Sequence, residues 1–317
     1  MLHELNYFLY RFKYRFGKIL PLTSPVDVSL ELAALCNQSC GYCYWSKPKE
    51  LPFPKGTMSF DTAAKTIRQA ADLGVPSLKM NWKGESTLNK DFAKITAYAK
   101  KHAIGGTFVD RLTNSNFKFK NDREDIFDGL CNQTKVKISF DSFIPEVFEK
   151  QRAGAIYGLA VANIDKFYNH PNRKNTEIVI QAVRTNLNKD EDIEGESKKR
   201  WPEAKISIRD VVGGRVEKDI SEYEHRSRDN SDRQSCLQAH VRVIFSAEGK
   251  AFPCCPDIGH KLCIGDIKTQ SLKEIFNSAE AIKLRKSLKD KSAFQSDPCK
   301  NCSSFETYKG FRPNWNS

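Results

Sequence analysis

The sequence predicts an α/β protein in two parts. Residues 26–210 read as a partial (β/α)6 barrel, and residues 236–317 as a small domain of one β-hairpin plus a helix. Three observations predict this. Strand-like and helix-like stretches alternate six times after Val26, which implies a parallel sheet with helices outside. Three cysteines crowd the loop after the first strand. Four more surround a hairpin signal near the carboxyl terminus.

Residues 1–25 form an extension in which Tyr7, Phe8, Tyr10, Phe12, Tyr14 and Phe16 interleave with Arg11, Lys13, Arg15 and Lys18. As a helix it either docks its aromatics on the barrel, the preferred reading, or lies on an anionic surface or nucleic acid. Predicted strands cover 26–33, 76–82, 106–113, 134–140, 176–185 and 204–210. Predicted helices cover 59–73, 88–102, 122–130, 145–168 and 189–200. Ser59-Phe60-Asp61 caps the first of these helices and Gly74 closes it. Residues 211–235, with Gly213-Gly214 and a charged run, read as a linker. Residues 241–253 then form a hairpin turning at Glu248-Gly249, and a helix follows over 271–278.

Cys36, Cys40 and Cys43 stand at C-x-x-x-C-x-x-C spacing. Three thiolates on one short loop hold three corners of a cubane iron–sulfur cluster and leave its fourth iron open for a substrate or cofactor. A structural zinc site wants four ligands, and no nearby residue completes one. The loop resembles the signature of the radical S-adenosylmethionine (SAM) enzymes. The resemblance implies that the open iron chelates SAM, which is cleaved reductively to a 5′-deoxyadenosyl radical that takes a substrate hydrogen.

Further motifs follow in the family's order, each after a predicted strand, where the active sites of such barrels lie. Lys83-Gly84-Glu85-Ser86 is similar to the family's Gly-Gly-Glu-Pro, which binds the SAM amino group, but departs from it at both outer places. Thr113-Asn114-Ser115-Asn116 resembles a Thr-Asn-Gly turn, and Ser139-Phe140-Asp141 a Ser-x-Asp near the SAM ribose and methionine. Gln151-Arg152-Ala153-Gly154 resembles an Arg-Gly segment whose Arg reaches the SAM carboxylate, and the Tyr42 position packs by the adenine. The resemblance therefore implies SAM contacts from Tyr42, Gly84, Glu85, Asn114, Ser139, Asp141 and Arg152. No catalytic acid or base is identified; Gln181, Arg184, Asn186 and Arg209 lie near strand ends.

Cys236, Gly249 and Cys254 are separated by twelve and then four residues, a spacing that resembles the opening of the SPASM and twitch auxiliary-cluster domains. Ile264-Gly265-Asp266-Ile267 and the helix after Ser271 fit the same pattern. The resemblance implies a second, four-cysteine cluster on Cys236, Cys254, Cys299 and Cys302, with Cys255 and Cys263 as alternative ligands. Zinc is the competing occupant of that set. The last fifteen residues hold no cysteine, so one auxiliary cluster is expected rather than two. The expected cofactors are SAM and two 4Fe-4S clusters. A single-cluster domain is similar to the twitch group, which includes an aminocyclitol dehydrogenase. It points to oxidation of a sugar-like alcohol, with the auxiliary cluster as electron acceptor. Peptide crosslinking or epimerisation, and modification of a nucleic acid or nucleotide base, are the alternatives. A non-catalytic iron–sulfur or zinc protein is a fourth reading.

Bulk properties narrow the partners. The net charge is +12, which admits anionic partners without selecting one. No apolar run reaches the roughly 18 residues of a spanning helix, and no signal peptide is recognisable at the start. Ten cysteines without such a signal point to metal in a reducing compartment, hence a cytoplasmic expectation. The expected partners are a small-molecule or peptide substrate and a reductant such as flavodoxin or ferredoxin.

Overall fold

The computed structural model describes residues 2–46, 52–211, 236–300 and 302; the rest of the predicted linker, 212–235, and residues 303–317 lie outside them. The chain opens with helix α1 (Leu2–Phe16). Six parallel strands follow: β1 (Asp27–Leu30), β4 (Ser77–Lys79), β5 (Asp110–Ser115), β6 (Lys135–Ser139), β7 (Glu177–Arg184) and β8 (Lys205–Asp210). A two-stranded ribbon, β2 (Ala33–Ala34) with β3 (Gly56–Thr57), brackets the cysteine loop. The intervening helices are α2 (Phe60–Asp72), α3 (Phe92–Lys101), α4 (Glu124–Cys131), α5 (Pro145–Gln151), α6 (Tyr157–Tyr168) and α7 (Ile193–Arg200). The carboxyl-terminal part contributes α8 (Gln238–Val241), β9 (Arg242–Phe245), β10 (Lys250–Phe252), β11 (Gly265–Asp266), α9 (Leu272–Phe276) and α10 (Ala279–Lys289).

Alternation along the strands gives the sheet two unlike faces. Val28, Leu30, Leu78, Val136, Ile138 and Ile180 are buried in one core with Ile67, Ile95, Phe127 and Ile164 from the helices. The opposite face is polar: Asp27, Ser29, Ser77, Lys79, Asp110 and Lys137 stand on it in register. The sheet order is β11-β10-β9-β1-β4-β5-β6-β7-β8, compatible with a partial barrel whose interior is the polar face.

The hairpin is not a separate layer. β9 pairs in parallel with β1 over Asp27↔Arg242 to Leu30↔Phe245, so the carboxyl-terminal part continues the same sheet. Asp27, wholly buried, ties this seam. It meets Lys79 Nζ at 2.5 Å and Arg242 Nε at 2.8 Å, and accepts from Ser77 Oγ at 2.9 Å. Burial alone would raise its pKa; Arg242 and Lys79 outweigh burial and hold it at about 2.

The predicted helix over 145–168 is a correction: the structure breaks it into α5 and α6. The reason is local. Gly154 takes φ +86°, a left-handed conformation that ends a helix. Its neighbours' carbonyls are also needed elsewhere, as the site shows. The first predicted strand, 26–33, likewise ends at Leu30, and Ala33–Ala34 turn to pair with β3. Helix α9 starts on a capping box between Ser271 and Glu274, and α10 is an element that the sequence reading omits.

Candidate functional site

The site is assembled at the carboxyl ends of β1, β4, β5 and β6, the edge where such sheets carry their chemistry. The cysteine loop is braced from two sides. Ser39 N–H donates to Ala153 C=O at 2.7 Å and Gly41 N–H to Gln151 C=O, which explains why the helix cannot continue through 151–154. On the other side the segment after β4 lies against the loop's entry. Glu85 N–H donates to Leu35 C=O at 2.8 Å. A Cβ on Gly84 would stand 2.2 Å from Ala33 O and 2.3 Å from Leu35 O, so only glycine allows this crossing. Asn37, Asn116 and Lys118 add a clamp: Asn116 Nδ2 donates to Asn37 Oδ1 at 2.7 Å and Lys118 Nζ to Asn37 C=O at 2.9 Å.

The loop holds Cys36, Cys40 and Cys43 as mutual neighbours. Burial pushes the Cys36 thiol up to about 12 and Cys40 up to about 11. Each is raised further by the other thiols, and Arg152 opposes the shift at Cys40. Buried thiols of this kind become thiolates only when a metal compensates the charge. Three neighbouring thiols are a donor set of the kind that an iron–sulfur cluster uses, though no group of three or more His, Cys, Asp or Glu side chains among the described residues is closed up as a metal site.

Three residues expected to contact SAM are brought together around one carboxylate. Asp141 is fully buried. It pairs with Arg152, Nε to Oδ2 at 2.8 Å and Nη2 to Oδ1 at 3.0 Å. It also accepts from Tyr42 OH at 2.6 Å and from Val183 N–H at 2.8 Å. Arg152 reaches onward to the Cys40 sulfur at 3.9 Å. The Tyr42–Asp141–Arg152 group thus fixes β6, the 151–154 turn and the cysteine loop to one another.

Glu85 is likewise buried and already satisfied. Its carboxylate accepts from Thr87 N–H and Oγ1 and from Asn116 N–H, the last at 2.8 Å. Burial still raises its pKa above the usual carboxylate range. Asn114 and Ser139 stand on the polar face at the ends of β5 and β6. The sequence reading named Asn114 here but missed two further amides, Gln38 and Asn81. Gln38 Nε2, Asn81 Oδ1 and Asn114 Oδ1 are buried without a hydrogen-bond partner among the described residues. Such atoms fit a polar ligand that completes them. Of the other strand-end candidates, Arg184 is used structurally, donating to the carbonyls of Asn188 and Glu191. Gln181 stands beside Ser139 in register.

Lys83 is the departure from the family pattern, and it bridges the two halves. Its Nζ lies 3.0 Å from Glu31 Oε1, 2.8 Å from His260 Nε2 and 3.3 Å from the centre of the Trp82 ring. Burial lowers the Lys83 ammonium to about 8 and His260 to about 4, so the imidazole is neutral and accepts from Lys83. Trp82 Nε1 in turn donates to Cys255 C=O at 2.9 Å.

Cys236, Cys254, Cys299 and Cys302 gather beside this bridge. Burial pushes Cys236 up to about 12, and Cys302 and Cys299 add to the shift. Cys254 is raised by burial and then by Cys236, Cys255, Asp257 and Cys299. Cys255 turns its sulfur toward Arg242 and Gln238, and Cys263 is exposed. The four half-buried thiols are again a cysteine donor set.

Residues 236–303 match a family model described as SPASM, an iron–sulfur cluster-binding domain. The carboxyl-terminal region is thus similar to that domain. Over 68 residues the chain is 31% identical to the S-adenosyl-L-methionine-dependent 2-deoxy-scyllo-inosamine dehydrogenase of Niallia circulans, a match to 22% of this chain and 27% of that relative's length. The fold resembles the crystal structure of BtrN in complex with AdoMet and 2-DOIA: TM-score 0.58, 17% identity, 88% of this chain and 92% of that one. It also resembles anSMEcpe with bound AdoMet and the Kp18Cys peptide: TM-score 0.63, 15% identity, 90% and 88% of the two chains. The chain thus shares the fold of these AdoMet-bound structures, a mixed α/β architecture with a largely parallel central sheet, and carries a match to the SPASM model at residues 236–303. Among the described residues no helix is long and apolar enough to cross a membrane.

Proposed function

We propose that this protein is a radical SAM enzyme that oxidises a hydroxyl-bearing small molecule, a sugar-like alcohol above all, to a ketone. When bound, SAM on the first cluster supplies the radical that takes a carbinol hydrogen, and an auxiliary cluster supplies the acceptor for the second electron. Cys36, Cys40 and Cys43 hold the first cluster, and Cys236, Cys254, Cys299 and Cys302 hold the second. Gly84 lets the segment after β4 approach the loop, while Tyr42, Asp141 and Arg152 fix its outer side. Glu85, Asn114 and Ser139 line the same edge, where SAM sits in this reading.

The observation that supports the reading is the presence of two groups of neighbouring thiols, one on the loop after β1 and one around Cys236 and Cys254, with Trp82 Nε1 bonded to the Cys255 C=O beside the second. A single four-cysteine set favours electron acceptance over substrate ligation. The polar sheet face, with Lys137, Asn81, Asn114 and Gln181, suits a substrate rich in hydroxyl groups. The likeness to a fold solved with a bound peptide supports peptide modification as a second reading.

The test is anaerobic reconstitution, with iron and sulfide counted and deoxyadenosine measured from SAM and dithionite. About eight irons per chain are expected, falling by about half in Cys40→Ala and in Cys254→Ala. Deoxyadenosine formation is expected to vanish in Cys40→Ala. About four irons and one zinc would overturn the acceptor role of the second site, and no SAM cleavage would overturn the enzyme reading.

A further inference from the structure

Helix α1 has two aromatic faces, and only one is used. Tyr10 is buried against the first residues of β1, β4 and β5. Its hydroxyl is held above its usual range by burial, then by Asp110 and Asp27, and it hydrogen-bonds Ser77. Tyr14 OH accepts from Arg242 Nη2 at 3.3 Å, and Tyr7 packs on the same cluster. All these partners open their strands, so α1 covers the amino-terminal end of the sheet, away from the cysteine loop. Gly17 lets the helix end approach closely: a Cβ there would stand 2.1 Å from Val241 Cγ1.

The opposite side of α1 faces outward. Leu5 and Phe8 are each 54% exposed, Leu9 44%, Phe12 45% and Phe16 36%. At ~100° per residue these five fall within one stripe of about 100°. Arg11 and Arg15 flank one border of the stripe, with Glu4 on that border in the first turn, and Lys13 flanks the other. The loop after α3 extends the surface. Gly106 abuts Asn6 of α1, and nearby stand exposed Ile104, at 73%, and Lys100 and Lys101.

From this we infer that α1 is a monotopic anchor: its Leu5–Phe8–Leu9–Phe12–Phe16 stripe lies in the surface of a bilayer containing anionic phospholipid. An apolar stripe bordered by cations on both sides matches apolar acyl chains beneath anionic headgroups. A second copy of the chain fits less well, because pairing two such faces brings their borders of Arg and Lys together on a protein of net charge +12. Nucleic acid wants cations at the centre of its footprint, where this face carries leucine and phenylalanine. The cysteine loop stands at the other end of the strands, so an anchored molecule keeps its mouth open to the aqueous side.

The test is co-sedimentation of the full-length, cluster-loaded protein with phosphatidylcholine vesicles, with and without about a third phosphatidylglycerol. Binding is expected to the anionic vesicles, weakening as salt rises. Phe8→Ser with Phe12→Ser is expected to lower the partition coefficient by about tenfold per phenylalanine removed. Lys13→Gln with Arg15→Gln is expected to reduce the preference for anionic over neutral vesicles several-fold. Both double variants change exposed residues, so the melting temperature and iron content should hold, and either one alone suffices as the test. No binding to anionic vesicles overturns the inference, as does binding that the phenylalanine variants leave unchanged. A solution dimer that the phenylalanine variants convert to monomer assigns the face to a second copy, and a salt-sensitive gel shift with RNA lost in them assigns it to nucleic acid. These readouts are separate from SAM cleavage, so they stand or fall independently of the proposed reaction.

Discussion

At the residue scale, the site turns on how one buried carboxylate is matched. Asp141 balances Arg152 and also accepts from Tyr42 and from a backbone N–H of β7. Removing one partner of a buried pair leaves an uncompensated charge, which costs about 3–5 kcal/mol. Asp141→Ala is therefore expected to lower stability by that amount in urea denaturation of the metal-free protein, a large share of a typical domain's total. Asp141→Asn, which keeps an acceptor for Tyr42, is expected to lose less. Equal losses would mean that the charge alone holds the group together and that the acceptor for Tyr42 adds nothing. Each member reads in the sequence as a short motif near a strand end, but their contact does not. Asp141 and Arg152 are eleven residues apart with a helix between them, and nothing in that spacing says that their side chains meet.

At the element scale, the cysteine loop owes its position to two backbone crossings. One is the 151–154 turn, whose carbonyls serve the loop's amides instead of a continuing helix. The residue pattern of 145–168 is helical throughout, and only the tertiary demand for those carbonyls explains the break. The other is Gly84 against Ala33 and Leu35. The atoms that a Cβ would meet there are backbone, so the loop itself must move to make room. Gly84→Ala is expected to remove the first cluster and SAM cleavage while sparing the second. Iron should fall from about eight to about four per chain, as in Cys40→Ala. A fully loaded Gly84→Ala protein would show that the crossing tolerates a methyl group.

At the scale of the whole molecule, the carboxyl-terminal part completes the sheet as well as carrying thiols. β9 covers the edge of β1, burying Val243 and Phe245 and bringing Arg242 to Asp27. A chain that ends before residue 236 loses this strand, exposes an unpaired apolar edge and leaves Asp27 with Lys79 as its ion-pair partner. Such a truncated barrel is expected to aggregate, measured by light scattering during refolding. A stable, monomeric 1–235 fragment would contradict the structural role given to β9. The Lys83–Glu31–His260 bridge adds a polar tie across the same seam, and Trp82 reaches the backbone beside Cys254.

The sequence by itself determined the order of strands and helices, the three-cysteine loop after the first strand and the hairpin framed by Cys236 and Cys254. These are local signals: hydrophobic period, caps, turn glycines and cysteine spacing act within a few residues of one another. Tertiary structure alone decided the rest. It set which face of α1 is buried, because that depends on tyrosines meeting strand starts far along the chain. It also decided that β9 joins β1, more than two hundred residues away, and that Lys83 is spent between Glu31 and His260. Long-range register, and the pairing of buried charges, depend on which distant backbone happens to lie alongside, and no local pattern in the chain encodes that.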